Sequence, residues 1–278
     1  MSATPSLRGR WRRLKLGLPT VLGMKPRGWF IPHRYAPLLP PPGAQPPYAA
    51  IERLFEASTA TFAGVLDAVD ARAGALETIR SLFDQSWFPS LDAAVAYAIV
   101  RERKPRYIVE VGSGHSTRVL SRALGGVGEI VAIDPAPRAD IIDLPGVRVV
   151  TSTLQAAPPD LFDDLSAGDA LFIDSSHILM PGSDVDILLN RVLPMAPAGV
   201  LVHIHDIFLP FDYPVPWGWR AYNEQQGIMP MLTSGAYRPL FSSAWATRRM
   251  ADRLATSVVA RLPQPSDALP ASLWLEKC

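Results

Sequence analysis

Five short apolar runs, separated by segments with helical spacing, constrain the fold of this chain more than any other feature. In order, they read RYIVEVG, EIVAIDP, VRVVTST, DALFIDSS and GVLVHIHD, between positions 106 and 206. The segments STRVLSRALGG and SDVDILLNRVLPMA between them have the periodicity of helices. Strands that are apolar on both faces and alternate with helices predict a parallel sheet that is covered on both sides.

The rest of the chain divides into segments of different character. Residues 1–47 are rich in proline and include the basic stretch LRGRWRRLKLG, which predicts an arm that wraps or stays loose, with a disordered tail favoured over a presequence or an interaction arm. Apolar spacing predicts a helical cap over 48–89. An α/β domain is expected over 90–278, with a first helix that Ser90 or Asp92 caps. It ends with a helix in RAYNEQQGIMPML and two strands in YRPLFSSAWA and SLWLEK.

Composition bears on the partners of the chain. Its 278 residues have a formal net charge of +1, so no general basic excess points to nucleic acid. No apolar run reaches about 18 residues, and we therefore expect no membrane partner. The one cysteine, Cys278, cannot form an intrachain disulfide or a cysteine-based zinc site, and this fits a reducing cytoplasm.

A glycine loop lies in VEVGSGHSTRVL, where the first strand passes into a helix. Gly112 and Gly114 give G-x-G, but Thr117 stands where a dinucleotide-binding loop has its third glycine. Backbone N–H groups at the start of the helix suit a carboxylate or another anionic group. Asp134 ends the second strand about 20 residues later, where an acid accepts the ribose hydroxyls of an adenosine cofactor. Loop and acid together indicate an adenosine ligand without demanding a pyrophosphate; for the loop alone, a plain strand-to-helix turn is the alternative.

The ordered set EVGSG, IDPAPR, LFIDSSH and GVLVHIHD resembles the class I S-adenosylmethionine-dependent methyltransferases over roughly residues 90–278. Within that class it is similar to a bacterial family of small-molecule methyltransferases. The resemblance implies a Rossmann-like, doubly wound, seven-stranded sheet of order 3-2-1-4-5-7-6 with an N-terminal helical extension. It implies S-adenosylmethionine as the cofactor, with Glu110 ordering the loop or the cofactor amine and Asp134 holding the ribose. The implied cofactor-binding residues are Glu110, Gly112, Ser113, Gly114, Ser116, Asp134, Pro135 and Asp174.

Polar residues also end the fourth and fifth strands, which should be neighbours about 4.8 Å apart. The related catechol-type O-methyltransferases place an acid after strand four and an acid–amide pair after strand five around Mg²⁺, with a basic residue three positions after the first acid. Here these positions hold Asp174, His205–Asp206 and His177. The expected metal ligands are Asp174, His205 and Asp206, and whether they bind Mg²⁺, Mn²⁺, Fe²⁺, Zn²⁺ or no metal is left open. The expected catalytic residues are His177, Asp174 and His205, with His177 as a general base or a substrate contact, whereas His203 should be structural.

The aromatic segment FLPFDYPVPWGWR follows the fifth strand and carries a heavy apolar load for a loop. We expect it to form a stiff wall of a substrate pocket, with Tyr213, Trp217 and Asn223 as substrate contacts and Glu224 near the site. The alternative is that its rings pack against the N-terminal helices or form a homodimer contact.

These features predict a methyltransferase that acts on oxygen or nitrogen of a small molecule or a peptide-derived metabolite, as in natural product biosynthesis. An NAD-dependent oxidoreductase is an alternative, and the missing third glycine speaks against it. A non-catalytic cofactor-binding protein is a second alternative, because a fold alone does not establish chemistry. A metal-dependent hydrolase built on Asp174, His205 and Asp206 is a third, and it would not need Asp134.

Overall fold

The computed structural model of the protein describes residues 7–41 and 43–278. The chain forms two compact units. One consists of Met1–Pro47 and Phe211–Tyr222, and the other of Tyr48–Pro210 and Asn223–Cys278. The second unit contains the sheet and the helices that cover it, including the segment 48–89. The predicted divisions of the chain after position 47 and after position 89 remain predictions.

A seven-stranded sheet of order β3-β2-β1-β4-β5-β7-β6 forms the centre of the second unit, as predicted. The strands are β1 Tyr107–Val111, β2 Glu129–Ile133, β3 Val147–Val150, β4 Ala170–Ile173, β5 Leu201–Ile204, β6 Tyr237–Ser242 and β7 Leu273–Lys277. Strands β1 to β5 are parallel, and β7 runs antiparallel to both β5 and β6. Strands β1, β4 and β5 are buried along their whole length, which explains their continuous apolar sequences.

The helices are α1 Leu7–Val21, α2 Ala49–Ala57, α3 Thr59–Asp70, α4 Ala73–Thr78, α5 Ser90–Arg103, α6 His115–Leu124, α7 Asp184–Ile187, α8 Leu193–Met195, α9 Glu224–Thr233, α10 Ser243–Arg249 and α11 Ala251–Thr256. A π-helical stretch, Leu188–Val192, joins α7 to α8. Helix α9 begins later than the expected RAYNEQQ start, because Ala221 has a left-handed backbone with φ of 54°.

Asp92 corrects one expectation about how α5 begins. The helix starts at Ser90, but neither Ser90 nor Asp92 caps its N-terminus with a side chain. The Asp92 carboxylate is instead fully buried and accepts hydrogen bonds from the backbone N–H groups of Ala271 and Ser272, at 3.0 and 3.2 Å. Since α5 is buried from Ser90 to Val100, this side chain has protein on every side and holds the start of β7.

The first unit corrects the expectation of a disordered N-terminal tail. Residues Leu7–Val21 form helix α1. Its apolar residues Leu7, Trp11, Leu14 and Leu18 recur at helical spacing, and the prolines of the described arm begin only at Pro19. The early basic residues conceal this periodicity in the sequence. The proline-rich stretch that follows is irregular apart from a short 3-10 turn at Ala36–Leu38.

Asp169 anchors the sheet where β1 and β4 begin. It is 2% exposed and accepts hydrogen bonds from the backbone N–H groups of Arg106, Tyr107 and Ser166 at 3.0, 2.9 and 3.1 Å. The Ser166 hydroxyl and the Arg106 guanidinium donate two more, at 2.8 and 3.1 Å. One carboxylate thus satisfies donors from both strand starts.

We predict that Asp169→Ala destabilises the sheet, because it leaves buried N–H groups without an acceptor. The expected decrease in the free energy of unfolding is about 2–3 kcal/mol. Urea unfolding followed by circular dichroism would measure it, with the exposed Asp143→Ala variant as a control expected to change by about 0.5 kcal/mol or less. Equal stability of the two variants would contradict this role.

Candidate active site

The candidate site lies at the carboxyl edge of the parallel strands. Val111 of β1 pairs with Ile133 of β2 and with Ile173 of β4, and Ile173 pairs with Ile204 of β5. All four strands therefore end level with one another. The residues that follow them, Gly112, Asp134, Asp174 and His205, are brought to one edge, which is where open α/β sheets bind ligands.

Two positions of the loop after β1 require glycine. Gly112 has φ of 79°, and a Cβ atom there would lie 2.0 Å from the carbonyl oxygen of Asp174. Gly114 has φ of 150°, and its Cβ would be 3.4 Å from the backbone nitrogens of Arg138 and Ala139. The loop is therefore packed against the end of β4 on one side and the segment after β2 on the other.

The N–H groups of this loop are committed to partners within the protein. Ser113 N–H donates to Asp134 Oδ2 at 2.7 Å, and Gly114 N–H donates to the Thr117 hydroxyl at 2.9 Å. The other Asp134 oxygen accepts from Ala136 N–H at 2.7 Å. A loop that binds a pyrophosphate needs such N–H groups for its ligand, so this arrangement speaks against a dinucleotide. It also explains why Thr117 stands where a dinucleotide-binding loop has its third glycine, because the Thr117 hydroxyl accepts the Gly114 N–H.

Glu110 lies beneath the loop and not in the cleft. It is fully buried, and its two oxygens accept hydrogen bonds from Ser116 Oγ and Thr117 Oγ1, both at 2.6 Å. Burial raises the pKa of Glu110 to about 8, although both hydroxyls oppose the shift. A carboxyl that is largely protonated at neutral pH and bonded on both oxygens fits the loop-ordering alternative better than the contact with a cofactor amine.

A narrow cleft opens beside the glycine loop. Its lining consists of Trp87, Phe88, Ser113, His115, Ser116, Arg138, Phe172, Asp174 and His205. The Arg138 guanidinium lies 4.5 Å from the centre of the Trp87 ring, and its Nη1 is 3.9 Å from Asp174 Oδ2. Sequence analysis missed Trp87 and Arg138, although Arg138 belongs to the quoted stretch IDPAPR. Pro135 is exposed next to Asp134 and is absent from the lining.

His177 bridges three acidic residues. Its Nε2 is 3.3 Å from Asp174 Oδ1 and 3.4 Å from Asp206 Oδ2, and its Nδ1 is 2.9 Å from Glu224 Oε2. Burial lowers the pKa of His177, but hydrogen bonds to Asp174 and Glu224 and the charge of Asp206 outweigh it and raise the pKa well above its usual value. Both ring nitrogens face carboxylate oxygens, so the imidazolium form satisfies every contact.

The acids respond to this imidazolium in different ways. Burial favours a raised pKa for Asp174, but its hydrogen bond with His177 and the nearby charges of His205 and His177 hold it well below its usual value. Burial raises the pKa of Glu224 despite the contact with His177. The Ser175 hydroxyl also donates to Glu224, at 3.0 Å. The cluster thus combines a strongly ionised Asp174 with a cationic ring.

Two residues of the cluster have unusual backbones. His177 and Asp206 have φ of 62° and 56°, in the left-handed region. For residues other than glycine this costs about 1–2 kcal/mol each. The carbonyl of His177 accepts hydrogen bonds from the N–H groups of Asn223 and Glu224, at 3.1 and 3.3 Å, which hold the turn in place. Strained positions of this kind concentrate at functional sites.

The predicted metal ligands Asp174, His205 and Asp206 do not fit a metal ion. Nε2 of His177 lies between the two carboxylates, where a shared cation would sit. His205 Nε2 is 3.1 Å from the Trp87 carbonyl, so this nitrogen donates a proton there and has no lone pair for a metal. In the described ranges of the chain, no group of three or more His, Cys, Asp or Glu side chains is arranged to hold a metal.

The two histidines of the fifth strand differ in environment. His203 is fully buried, stacks on Phe172 at 3.6 Å and contacts Ser272 Oγ through Nε2 at 2.8 Å. Burial lowers the pKa of His203 well below its usual value, so it is neutral, in keeping with a structural role. Burial also opposes the charge of His205, but the carboxylates of Asp206, Asp174 and Asp92 raise its pKa.

The predicted substrate contacts lie in different units. Asn223 accepts from the Leu179 N–H at 2.7 Å and donates to the Leu179 carbonyl at 3.3 Å, so its amide clamps the segment after β4. Tyr213 and Trp217 belong to the first unit, where each packs edge-on against Tyr222 with ring centres 6.0 Å apart. Their role as substrate contacts remains a prediction.

Comparison with known proteins agrees with this geometry. Residues 109–207 match a family model described as a methyltransferase domain, and this range runs from β1 to just beyond Asp206. No curated protein matches the chain.

Solved structures with a similar chain fold include three methyltransferases. One is described as a putative O-methyltransferase from Klebsiella pneumoniae, with 16% identity, coverage of 77% of this chain and 89% of that chain, and a TM-score of 0.42. Another is the C-terminal domain of precorrin-6Y C5,15-methyltransferase from Rhodobacter capsulatus, with 16% identity, coverage of 71% and 95%, and a TM-score of 0.38. The third is the plantazolicin methyltransferase BpumL in complex with SAH, with 13% identity, coverage of 76% and 99%, and a TM-score of 0.40.

The family match contains the glycine loop, Asp134, Asp174 and the His205–Asp206 pair. It falls on the first five strands of a sheet whose order is that of the class I methyltransferases. Residues 109–207 of this chain therefore match a methyltransferase domain, and they lie in a seven-stranded Rossmann-like sheet of order 3-2-1-4-5-7-6.

Proposed function

We propose that the protein is an S-adenosylmethionine-dependent methyltransferase that methylates oxygen or nitrogen of a small molecule or a peptide-derived metabolite. The observation that carries the proposal is the glycine loop, whose Ser113 and Gly114 N–H groups are committed to Asp134 and Thr117 within the matched methyltransferase segment. Because these N–H groups already have partners within the protein and an acid ends β2, the loop suits an adenosine cofactor that has no pyrophosphate. The lone Cys278 supports a reducing cytoplasm as its compartment.

The charges at the strand ends suit a sulfonium cofactor. Asp134 would hold the ribose hydroxyls, and Asp174, whose side chain is 22% exposed in the cleft, would lie near the positive charge. Arg138 and His115 line the same cleft and would face the carboxylate of the methionine part. When bound, S-adenosylmethionine supplies an electrophilic methyl group. The chain itself has to position the acceptor atom and receive its proton.

His177 is the group that we propose takes up this proton. Asp174 is a weak base because its pKa is lowered, whereas the neutral form of His177 is a much stronger base because its pKa is raised. Below its raised pKa His177 is protonated and cannot accept a proton, so the fraction of competent protein grows as the pH rises towards that pKa. Glu224 sets this balance through Nδ1. No step of this scheme needs a metal.

The first prediction from the proposed function concerns the ribose contact of Asp134. Purified protein should bind S-adenosylhomocysteine in isothermal titration calorimetry, and Asp134→Ala should weaken binding at least about tenfold, since two charged hydrogen bonds are lost. Asp140→Ala, an exposed acid in the same connection, is the matched control and should bind normally.

The same titration after EDTA treatment tests the absence of a metal. Affinity should not change, and elemental analysis should find no stoichiometric divalent ion. Failure of the untreated protein to bind S-adenosylhomocysteine would exclude the proposed function. Loss of binding on EDTA treatment, with recovery on adding a divalent metal, would restore the metal alternative.

A second prediction uses the close approach of Gly112 to Asp174. Gly112→Ala should abolish S-adenosylhomocysteine binding, because the new methyl group would overlap the Asp174 carbonyl. Gly168→Ala is the control: Gly168 has a similar φ of 89°, but its Cβ would meet no atom within 4 Å. Both variants suffer backbone strain, and only the first should lose the ligand. Equal effects of the two substitutions in calorimetry would contradict the argument.

A third prediction concerns the pKa of His177. NMR titration of the imidazole resonances should show His177 still protonated at neutral pH. Glu224→Gln should lower its pKa, because a buried carboxylate partner is removed. Glu276→Gln, which alters an acid paired with Arg238 on the far strands, should leave the titration unchanged. An unaltered titration in Glu224→Gln would contradict the assignment.

A further inference from the structure

Helix α1 has its apolar side chains on its outer surface. Leu7, Trp11, Leu14, Leu18 and Val21 are 85, 68, 54, 53 and 59% exposed. At 3.6 residues per turn, these five side chains fall within an arc of about 100°. We call them the apolar stripe. A stripe of this width normally faces the core of a globular protein.

The opposite side of α1 is the one that packs within its own unit. The Arg13 guanidinium donates to the Gly218 carbonyl at 2.9 Å, and the Arg12 guanidinium lies 5.0 Å from the centre of the Trp219 ring. Leu16, on this same side, is only partly exposed. The helix is therefore anchored through its polar side, and the apolar stripe is not used for this packing.

The charge of the chain is concentrated around this helix. Residues 1–51 contain eight lysine and arginine residues and no aspartate or glutamate, a net charge of +8. The remainder contains 19 basic and 26 acidic residues, a net charge of −7. The overall value of +1 conceals this segregation. Helical geometry puts Arg10 on one flank of the apolar stripe and Lys15 on the other, and both are exposed.

A second exposed apolar group follows in the same unit. Trp29, Phe30 and Ile31 are 54, 66 and 64% exposed, and Lys25 and Arg27 precede them in the sequence. Aromatic and aliphatic side chains beside basic residues are typical of segments that lie in the interface of a membrane. No described helix is both long enough and apolar enough to cross a membrane.

We propose that α1, together with Trp29–Ile31, docks the protein on an anionic lipid surface. The helix would lie parallel to the surface, with the apolar stripe between the lipid headgroups and Arg10 and Lys15 directed to the phosphates. The phosphates of a nucleic acid would attract the basic residues but would not bury a continuous apolar stripe, whereas an anionic lipid surface does both. This departs from the expectation of no membrane partner, which rested on the lack of an apolar run long enough to span a membrane.

The test is cosedimentation of the full-length protein with vesicles. Binding to phosphatidylcholine vesicles that contain about 30 mol% phosphatidylserine should be at least about tenfold tighter than binding to pure phosphatidylcholine, and should weaken at high salt. The double variant Trp11→Ala, Leu18→Ala should bind the anionic vesicles at least about tenfold more weakly, because it removes two inserting side chains. The double variant Ile142→Ala, Met195→Ala is the control, since it shortens two exposed apolar side chains of the other unit.

Each other outcome overturns the proposal. One such outcome is that the protein does not bind vesicles. Another is that the double variant Trp11→Ala, Leu18→Ala binds anionic vesicles as tightly as the original protein, which would indicate charge attraction alone. Binding to an RNA oligonucleotide but not to vesicles would assign the surface to nucleic acid. Circular dichroism should show unchanged melting of both variants. Both should also bind S-adenosylhomocysteine normally, so that failure here is separate from failure of the proposed methyltransferase function.

Discussion

The imidazolium of His177 is the interaction on which the candidate site depends. It holds Asp174 from the end of β4, Asp206 from the end of β5 and Glu224 from the start of α9 within hydrogen-bonding or ion-pairing distance. Three acids brought together with little access to water would otherwise repel one another and would not all stay ionised. Because one proton on one ring stabilises the group, the ends of two strands and a distant helix form one structure.

The protonated His177 ring also distinguishes this site from a catechol-type site. In the catechol-type O-methyltransferases that the sequence resembles, a divalent cation neutralises the acids that follow strands four and five. Here a protonated ring lies between Asp174 and Asp206 and supplies part of the same positive charge. His205 donates to the Trp87 carbonyl and completes the enclosure of the cleft. Neutralisation by the single charge of an imidazolium is weaker than neutralisation by a divalent ion.

Patterns that are local in the sequence predicted the strands, their order by resemblance and the glycine loop. Contacts between distant positions could not be predicted in this way. Asp92 holds backbone N–H groups of Ala271 and Ser272, and a helix-start signal gives no hint of that partner. Arg138 and Trp87 meet across the cleft from segments about 50 residues apart, and no periodicity links them. Helix α1 was missed because the basic residues within it conceal its apolar spacing.

The level ends of β1, β2, β4 and β5 have a consequence for how such a site can change over evolution. One residue inserted into or deleted from any of these strands would shift its terminal side chain by about 3.3 Å and turn it to the other face of the sheet. Substitutions at Asp134, Asp174 or Asp206 change the chemistry of the site but not the lengths of the strands. A change in the length of a strand instead moves its terminal side chain out of the site. Among proteins related to this chain, the connections between strands should therefore vary in length, whereas the strands themselves should keep a constant length.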